Sequence, residues 1–305
     1  MKHLLKNNQK ILMEAAIVER LRRSTQFKLH PQLVHASLIY DKYGKRALTS
    51  LYQEYIDIAI SASEPILICT PTWRANYLRV TSSDIPTSIN CDAAKFLIKL
   101  KQVQKEKVDI RVGGLIGCKN DCYQPQEGLT VSQAQDFHSW QVEQLASTEI
   151  DFLIAETLPN IHEALGIAKT MEASGVPYII SFVISRTGEV LDGTSLVDAI
   201  EYIDSNTNIK PLGYMINCAY PSFLCPENQP KALFDRLIGY QANASSLDHC
   251  DLEGADELKA NQVSEWGELM IELNQRYKIK IRGGCCGTEI SHLRYMTHSN
   301  HKSYS

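Results

Sequence analysis

The feature that most restricts how this chain can fold is a repeated alternation: short apolar runs, each followed by a polar or glycine-containing turn and then by a helical pattern. The runs are Lys10 to Met13, Ile66 to Cys69, Asp109 to Val112, Phe152 to Ala155, Tyr178 to Val183, Gly213 to Ile216, Leu237 to Tyr240 and Ile279 to Arg282. Most are continuously apolar, as strands buried on both faces of a helix-covered parallel sheet must be. Between them, Ile161, Ala164, Leu165 and Ala168 share one helical face, with Asn160 and Glu163 spaced as a capping box; Val263, Trp266, Met270 and Leu273 repeat such a face. Thr130 with Gln133 marks another helix start, and Pro159 and Pro177 punctuate element ends. Eight such units without a linker or low-complexity break predict an α/β fold, a single (β/α)8 TIM-type barrel over residues 1–305. The stretch from Arg22 to Arg46 exceeds a tight connection and is expected to pack irregularly over one end of the barrel.

Barrel chemistry collects where strands end, so the residues just after each run are the candidates. They are Glu14, Cys69 to Trp73, Gly113 to Gly117, Glu156 and Thr157, Asn217 and Cys218, Gln241 to Asn243, and Gly283 to Thr288. Gly113 to Gly117 lacks the spacing of a dinucleotide loop and reads as a loop floor beneath the substrate.

Cysteine is where composition enters. The chain has nine, an odd number, and its first ten residues hold only Leu4 and Leu5 as an apolar pair, so no export signal or membrane span is expected there. Reduced thiols used for metal or catalysis, in a cytoplasmic protein, are the expectation. A net charge of −4 with scattered lysines and arginines leaves no footprint for nucleic acid. Nothing in the pattern specifies an oligomeric state.

Gly283-Gly284-Cys285-Cys286-Gly287-Thr288 places two adjacent thiolates on a glycine-flanked turn, where glycine permits backbone angles other residues resist. Cys218 ends the sixth run, one strand removed from the eighth in a closed barrel. Three sulfurs converging at the C-terminal mouth would bind zinc and leave one position open, as catalytic zinc sites do. A free thiol has a pKa of about 8.5, and zinc makes it a thiolate without a general base. The competing reading is that Cys285 and Cys286 fill a tight turn, or that Cys225 closes a four-cysteine structural site. Cys118 and Cys122 read as ordinary reduced thiols, and His298 with His301 as a frayed polar tail. No Gly-x-Ser-x-Gly elbow, phosphate loop or His-Glu-x-x-His helix is present.

Asn217-Cys218 and the Gly283 to Thr288 run resemble the two zinc-binding motifs of the homocysteine S-methyltransferase family, which includes betaine- and S-methylmethionine-dependent enzymes. Cys69 to Asn76, Asp151 to Thr157 and Asp192-Gly193-Thr194 extend the resemblance over nearly the whole chain. It implies a barrel whose zinc, held by Cys218, Cys285 and Cys286, binds an acceptor thiolate that attacks a methyl group on a sulfonium, quaternary ammonium or similar donor. It further implies that Glu156 holds the acceptor's amino group, with Thr157 and Asn217 in the same site. The sequence departs from the family where Met13-Glu14-Ala15 replaces an Asp-Gly-Gly-type turn. Glu14 is expected to supply the missing carboxylate. Another thiol or selenol acceptor, and a non-catalytic zinc-binding barrel, therefore stand beside homocysteine. Trp73, after the second run, is the candidate contact for a cationic donor methyl group, because a cation is attracted to an aromatic face.

Overall fold

The computed structural model describes residues 1–24, 28–247 and 260–298. Its strands are β1 Ile11–Met13, β2 Ile66–Cys69, β3 Ile110–Gly117, β4 Phe152–Leu158, β5 Tyr178–Phe182, β6 Tyr214–Ala219, β7 Leu237–Ala242 and β8 Ile281–Gly284. They form a closed barrel in sequence order, every neighbouring pair parallel, and β8 returns to β1 with Ile11 opposite Ile281. This is the expected (β/α)8 barrel.

Strands alternate inward and outward with period two. Ile11, Met13, Leu67, Leu115, Phe152, Ile154, Ile179, Met215 and Ile281 fill the interior, and Leu4, from a short helix Lys2–Asn7, joins the same cluster. Leu12, Ile66, Ile68, Val112, Leu153, Ile180 and Ile216 face the helices in the second cluster. Gly113 makes room inside: a Cβ there would come within 2.6 Å of the Phe152 ring, a side chain whose burial contributes about 1.5–3 kcal/mol. Continuing the same alternation by one step places Glu156, Ser181, Asn217 and Gln241 in the next interior layer, all buried. The barrel thus has an apolar floor and a polar upper layer.

Several boundaries differ from expectation. β3, β4, β6 and β7 run on through Gly117, Leu158, Ala219 and Ala242. Gly113 to Gly117 is therefore strand, not loop. Polar residues and glycines that break an apolar run still pair here, because a closed ladder offers each strand a backbone partner on both sides. The helix Ile161–Ala173 is capped by Asn160, whose side chain accepts from the N–H groups of His162 and Glu163, but Glu163 does not complete the capping box. Its carboxylate instead accepts from Lys119 N, Leu129 N and His138 Nε2. The Thr130–Gln133 capping box is present in full, and Trp266, Met270 and Leu273 are buried on the helix Val263–Tyr277.

Within Arg22 to Arg46, the described residues form the end of the helix Val18–Arg23, a 3-10 turn Ala36–Tyr40 and the start of the helix Lys42–Ala62. Residues 25–27 lie outside the described residues. His298 is not frayed: it ends the helix Ile290–His298 and its Nε2 lies 3.1 Å from Ser61 Oγ. His301 lies outside the described residues. No described helix is long and apolar enough to cross a membrane.

Candidate metal centre

Strict alternation would turn Cys218 outward, because Asn217 faces inward. The ladder is broken there. The β6–β7 register shifts between Asn217 and Ala219, and Cys218 takes φ +55°. A bulge of this kind re-aims a side chain, and here it brings Asn217 and Cys218 to the same opening. The β4–β5 register shifts between Ala155 and Leu158, where Thr157 has φ +60°. Left-handed backbone costs a non-glycine residue about 1–2 kcal/mol, so both positions need holding. Asn217 Oδ1 accepts from Thr157 N at 3.0 Å and from Ser181 Oγ at 2.7 Å, while Asn243 Nδ2 donates to Cys218 O at 3.0 Å.

Cys285 and Cys286 follow β8 directly. Cys285 N donates to Ala242 O at 2.8 Å, Cys286 N to Asn243 Oδ1 at 3.1 Å, and Ala244 N to Cys286 O at 2.9 Å. Thr288 Oγ1 closes the turn on Cys285 O at 2.6 Å, and Gly287 N donates to the Glu19 carboxylate. The glycines act differently from the expectation. Only Gly287 uses a positive φ, +79°. Gly283 and Gly284 serve close approach: a Cβ on Gly283 would lie 2.9 Å from Glu14 O, and one on Gly284 would overlap the Thr288 side chain.

The result is a cluster in which the Sγ atoms of Cys218, Cys285 and Cys286 all lie within 4.8 Å of one another, with Cys218 buried, Cys285 half-buried and Cys286 exposed. Tetrahedral coordination with metal–sulfur bonds of about 2.3 Å separates sulfurs by about 3.8 Å. Cys218 Sγ and Cys285 Sγ stand closer, at 2.7 Å, so a thiolate-binding metal would part that pair, and the donor set of three cysteines fits such a metal by its chemistry. Among the described residues no fourth His, Cys, Asp or Glu joins this group. Cys225 is turned away, its Sγ donating to Arg186 O at 3.3 Å. Cys118 and Cys122 are buried free thiols outside the cluster. Hydrogen bonds from Cys218 and Cys285 pull the Cys286 thiol well below its ordinary range, while the bond to Cys285 pushes Cys218 up.

Glu156 is buried in the interior layer just below the mouth, and its Oε1 has no hydrogen-bond partner. Burial pushes its carboxyl up to about 8. Glu14, one residue past β1, is also buried; its Oε2 accepts from Cys69 N at 2.7 Å. Burial holds it well above the usual carboxylate range despite that bond, and the charge of Glu156 adds to the shift. Two buried carboxyls that repel each other are an environment made for a cation. Trp73 Nε1 donates to Thr157 Oγ1 at 2.8 Å, and the Arg74 guanidinium stacks over its ring at 4.1 Å. Arg74 also donates to the carbonyls of Cys118, Lys119 and Asn120, tying the loop after β3 to this wall. In that loop half-buried Tyr123 has its phenol pushed up by burial and by the neighbouring sulfurs of Cys218 and Cys286.

Asn243 and Thr288 fall within the strand-end stretches that the sequence marks, Gln241 to Asn243 and Gly283 to Thr288, but without a role of their own. Sequence reading missed Ser181 and Tyr123; a serine inside β5 and a tyrosine in the loop after β3 carry no chemical signature.

The homocysteine S-methyltransferase family profile matches residues 10–299. Homocysteine S-methyltransferase 1 of Brassica oleracea var. italica is 30% identical over 180 residues, 55% of this chain and 52% of the relative. Selenocysteine Se-methyltransferase of the same plant is 24% identical over 178 residues, 54% of this chain and 48% of the relative. These alignments span about half the length of the relatives. The metallated form of the homocysteine methyltransferase MmuM from Escherichia coli has the same fold, with a TM-score of 0.75 at 18% identity over 97% of this chain and 98% of that one. With a match running from the first strand to the last helix, the chain belongs to the homocysteine S-methyltransferase family.

Proposed function

We propose that the protein transfers a methyl group from a small cationic donor to a thiol, with homocysteine as acceptor and methionine as product, and that the metal is zinc held by Cys218, Cys285 and Cys286. The observation that carries this is the convergence of three cysteine sulfurs at the end of a barrel that also buries the Glu156 and Glu14 carboxyls, with Cys285 near enough to Glu156 to feel its charge. When bound, zinc supplies a Lewis acid at which a thiol loses its proton near neutral pH. We place the ammonium group of the amino-acid acceptor on Glu156, whose Oε1 has no hydrogen-bond partner, with the buried Glu14 carboxyl as its neighbour. Asn217 positions both ends of this arrangement: it holds Thr157 next to Glu156, and its Nδ2 lies 3.4 Å from Cys218 Sγ. The new sulfur–carbon bond forms as the donor's bond to its methyl group breaks, and the donor leaves one positive charge poorer. Holding the two reactants in line is worth roughly 7 kcal/mol or more in good cases. No general base and no covalent enzyme intermediate are needed.

Trp73 forms the wall on which we place the donor. Its ring already carries one cation, Arg74, and is fixed by its bond to Thr157. Trp73→Ala is expected to raise the donor KM severalfold while leaving zinc content at wild-type level; unchanged donor kinetics would remove Trp73 from the donor site.

A second reading keeps the chemistry and changes the acceptor to another thiol or a selenol. Met13-Glu14-Ala15 favours it, because Ala15 stands where the family has glycine and its Cβ faces the Gly284 turn. The Brassica selenocysteine methyltransferase is a family relative with such an acceptor. Incubating the zinc-loaded protein with homocysteine, selenohomocysteine, cysteine and selenocysteine, each with S-methylmethionine or glycine betaine, and identifying products by mass spectrometry, tests both. Methionine as the fastest-forming product supports homocysteine, faster methylation of another acceptor supports the second reading, and no methylated product with any pair contradicts both.

A further inference from the structure

Asn243 stands one residue past β7, between the two strands that carry the sulfur ligands. We propose that it is a positioning residue for the metal centre: its side-chain amide holds Cys218 in the left-handed conformation and docks the Cys285–Cys286 turn against it, so that three sulfurs meet at one point. This inference rests on the metal-centre reading above. β6 and β8 pair with β7 and not with each other, so the two ligand segments have no ladder between them. A side chain at the end of β7 is placed to reach both.

Asn243 does so with opposite ends of one amide. Nδ2 donates to Cys218 O at 3.0 Å, and Oδ1 accepts from Cys286 N at 3.1 Å. Its backbone is anchored as firmly: the N–H donates to Ala219 O at 3.0 Å, and the carbonyl accepts from buried Trp266 Nε1 at 3.0 Å. The bond to Cys218 O bears on the residue with φ +55°. Released from it, Cys218 can relax to ordinary extended backbone, and strand alternation would then turn its sulfur out of the mouth. Only a group that donates on one side and accepts on the other spans the gap; aspartate offers acceptors alone, and alanine offers nothing.

The test compares wild type with Asn243→Ala, Asn243→Asp and Trp266→Phe. Zinc affinity is measured by competition with a chromophoric chelator, sulfur-to-metal charge transfer on the cobalt(II)-substituted proteins, and melting temperature on the metal-free ones. Near-isosteric Asn243→Asp keeps the comparison readable if the alanine variant fails to fold. Trp266→Phe removes a bond to the Asn243 backbone and leaves the side-chain amide in place. We expect both Asn243 variants to bind zinc about 10- to 100-fold more weakly, with weaker charge-transfer bands and near-wild-type melting. Trp266→Phe is expected to lose melting temperature and keep zinc affinity. Wild-type zinc affinity in both Asn243 variants, or affinity losses that track melting temperature across all three proteins, would overturn the proposal. Failure of the wild type to bind zinc or cobalt through sulfur would instead overturn the metal centre itself, and this inference with it.

Discussion

Cys218→Ala is expected to lower turnover by about 10³-fold or more and to leave the purified protein without stoichiometric zinc. The loss of rate corresponds to the several kcal/mol that a Lewis acid contributes. Removing one of three sulfurs leaves Cys285 and Cys286, adjacent on one turn and unable to set up a tetrahedral site with an open position. The fold should survive, because Cys218 is at a bulge whose neighbours Asn217 and Ala219 keep their β7 partners Gln241 and Ala242. Alanine also tolerates the left-handed backbone no worse than cysteine does. Metal content by mass spectrometry and activity on one preparation check this; a variant that retains zinc and turnover would remove Cys218 from the centre.

Glu156→Gln should separate function from stability in opposite directions. Loss of the carboxyl that hydrogen-bonds the acceptor's charged amino group is worth about 1.5–3 kcal/mol, so acceptor kcat/KM falls roughly 10- to 100-fold. The metal-free variant, by contrast, becomes more stable than wild type as pH rises. Burial has pushed the Glu156 carboxyl from 4.5 up to about 8. Between those values the folded protein keeps a proton that the unfolded chain releases, so rising pH favours the unfolded state. The contribution of Glu156 to stability is intact below about pH 4.5 and lost progressively as pH climbs to about 8. Glutamine does not titrate, so the gap between variant and wild type should widen by a few kcal/mol over that window and level off above it. Denaturation at intervals from pH 5 to pH 9 measures the gap; a gap flat in pH would show that Glu156 is not held protonated by burial.

Both residues were visible in the sequence, for different reasons. A continuous apolar run needs burial on both faces, which a helix-covered parallel barrel supplies, so the eight strands were legible. The adjacent Cys285 and Cys286 were legible as well, since paired thiols on a glycine-flanked turn suit few roles. The bulges were not. Nothing in Glu156-Thr157 or Asn217-Cys218 announces that a strand breaks register and turns two consecutive side chains to one opening; that follows from pairing with β5 and β7. Gly113 to Gly117 misled for a related reason. Its glycines read as a loop, yet Gly113 and Gly117 are strand residues that leave room for the rings of Phe152 and Trp73. The position of Asn243 between the strands that lead to Cys218 and to Cys285 likewise exists only once the barrel has closed.

The most direct test of the central claim is zinc-edge X-ray absorption on the purified protein, with and without homocysteine. Three sulfur neighbours rising to four when homocysteine is added would match a centre built by Cys218, Cys285 and Cys286 with one position open to an acceptor thiol. Four sulfurs present from the start and unchanged by homocysteine, or no sulfur coordination at all, would contradict it.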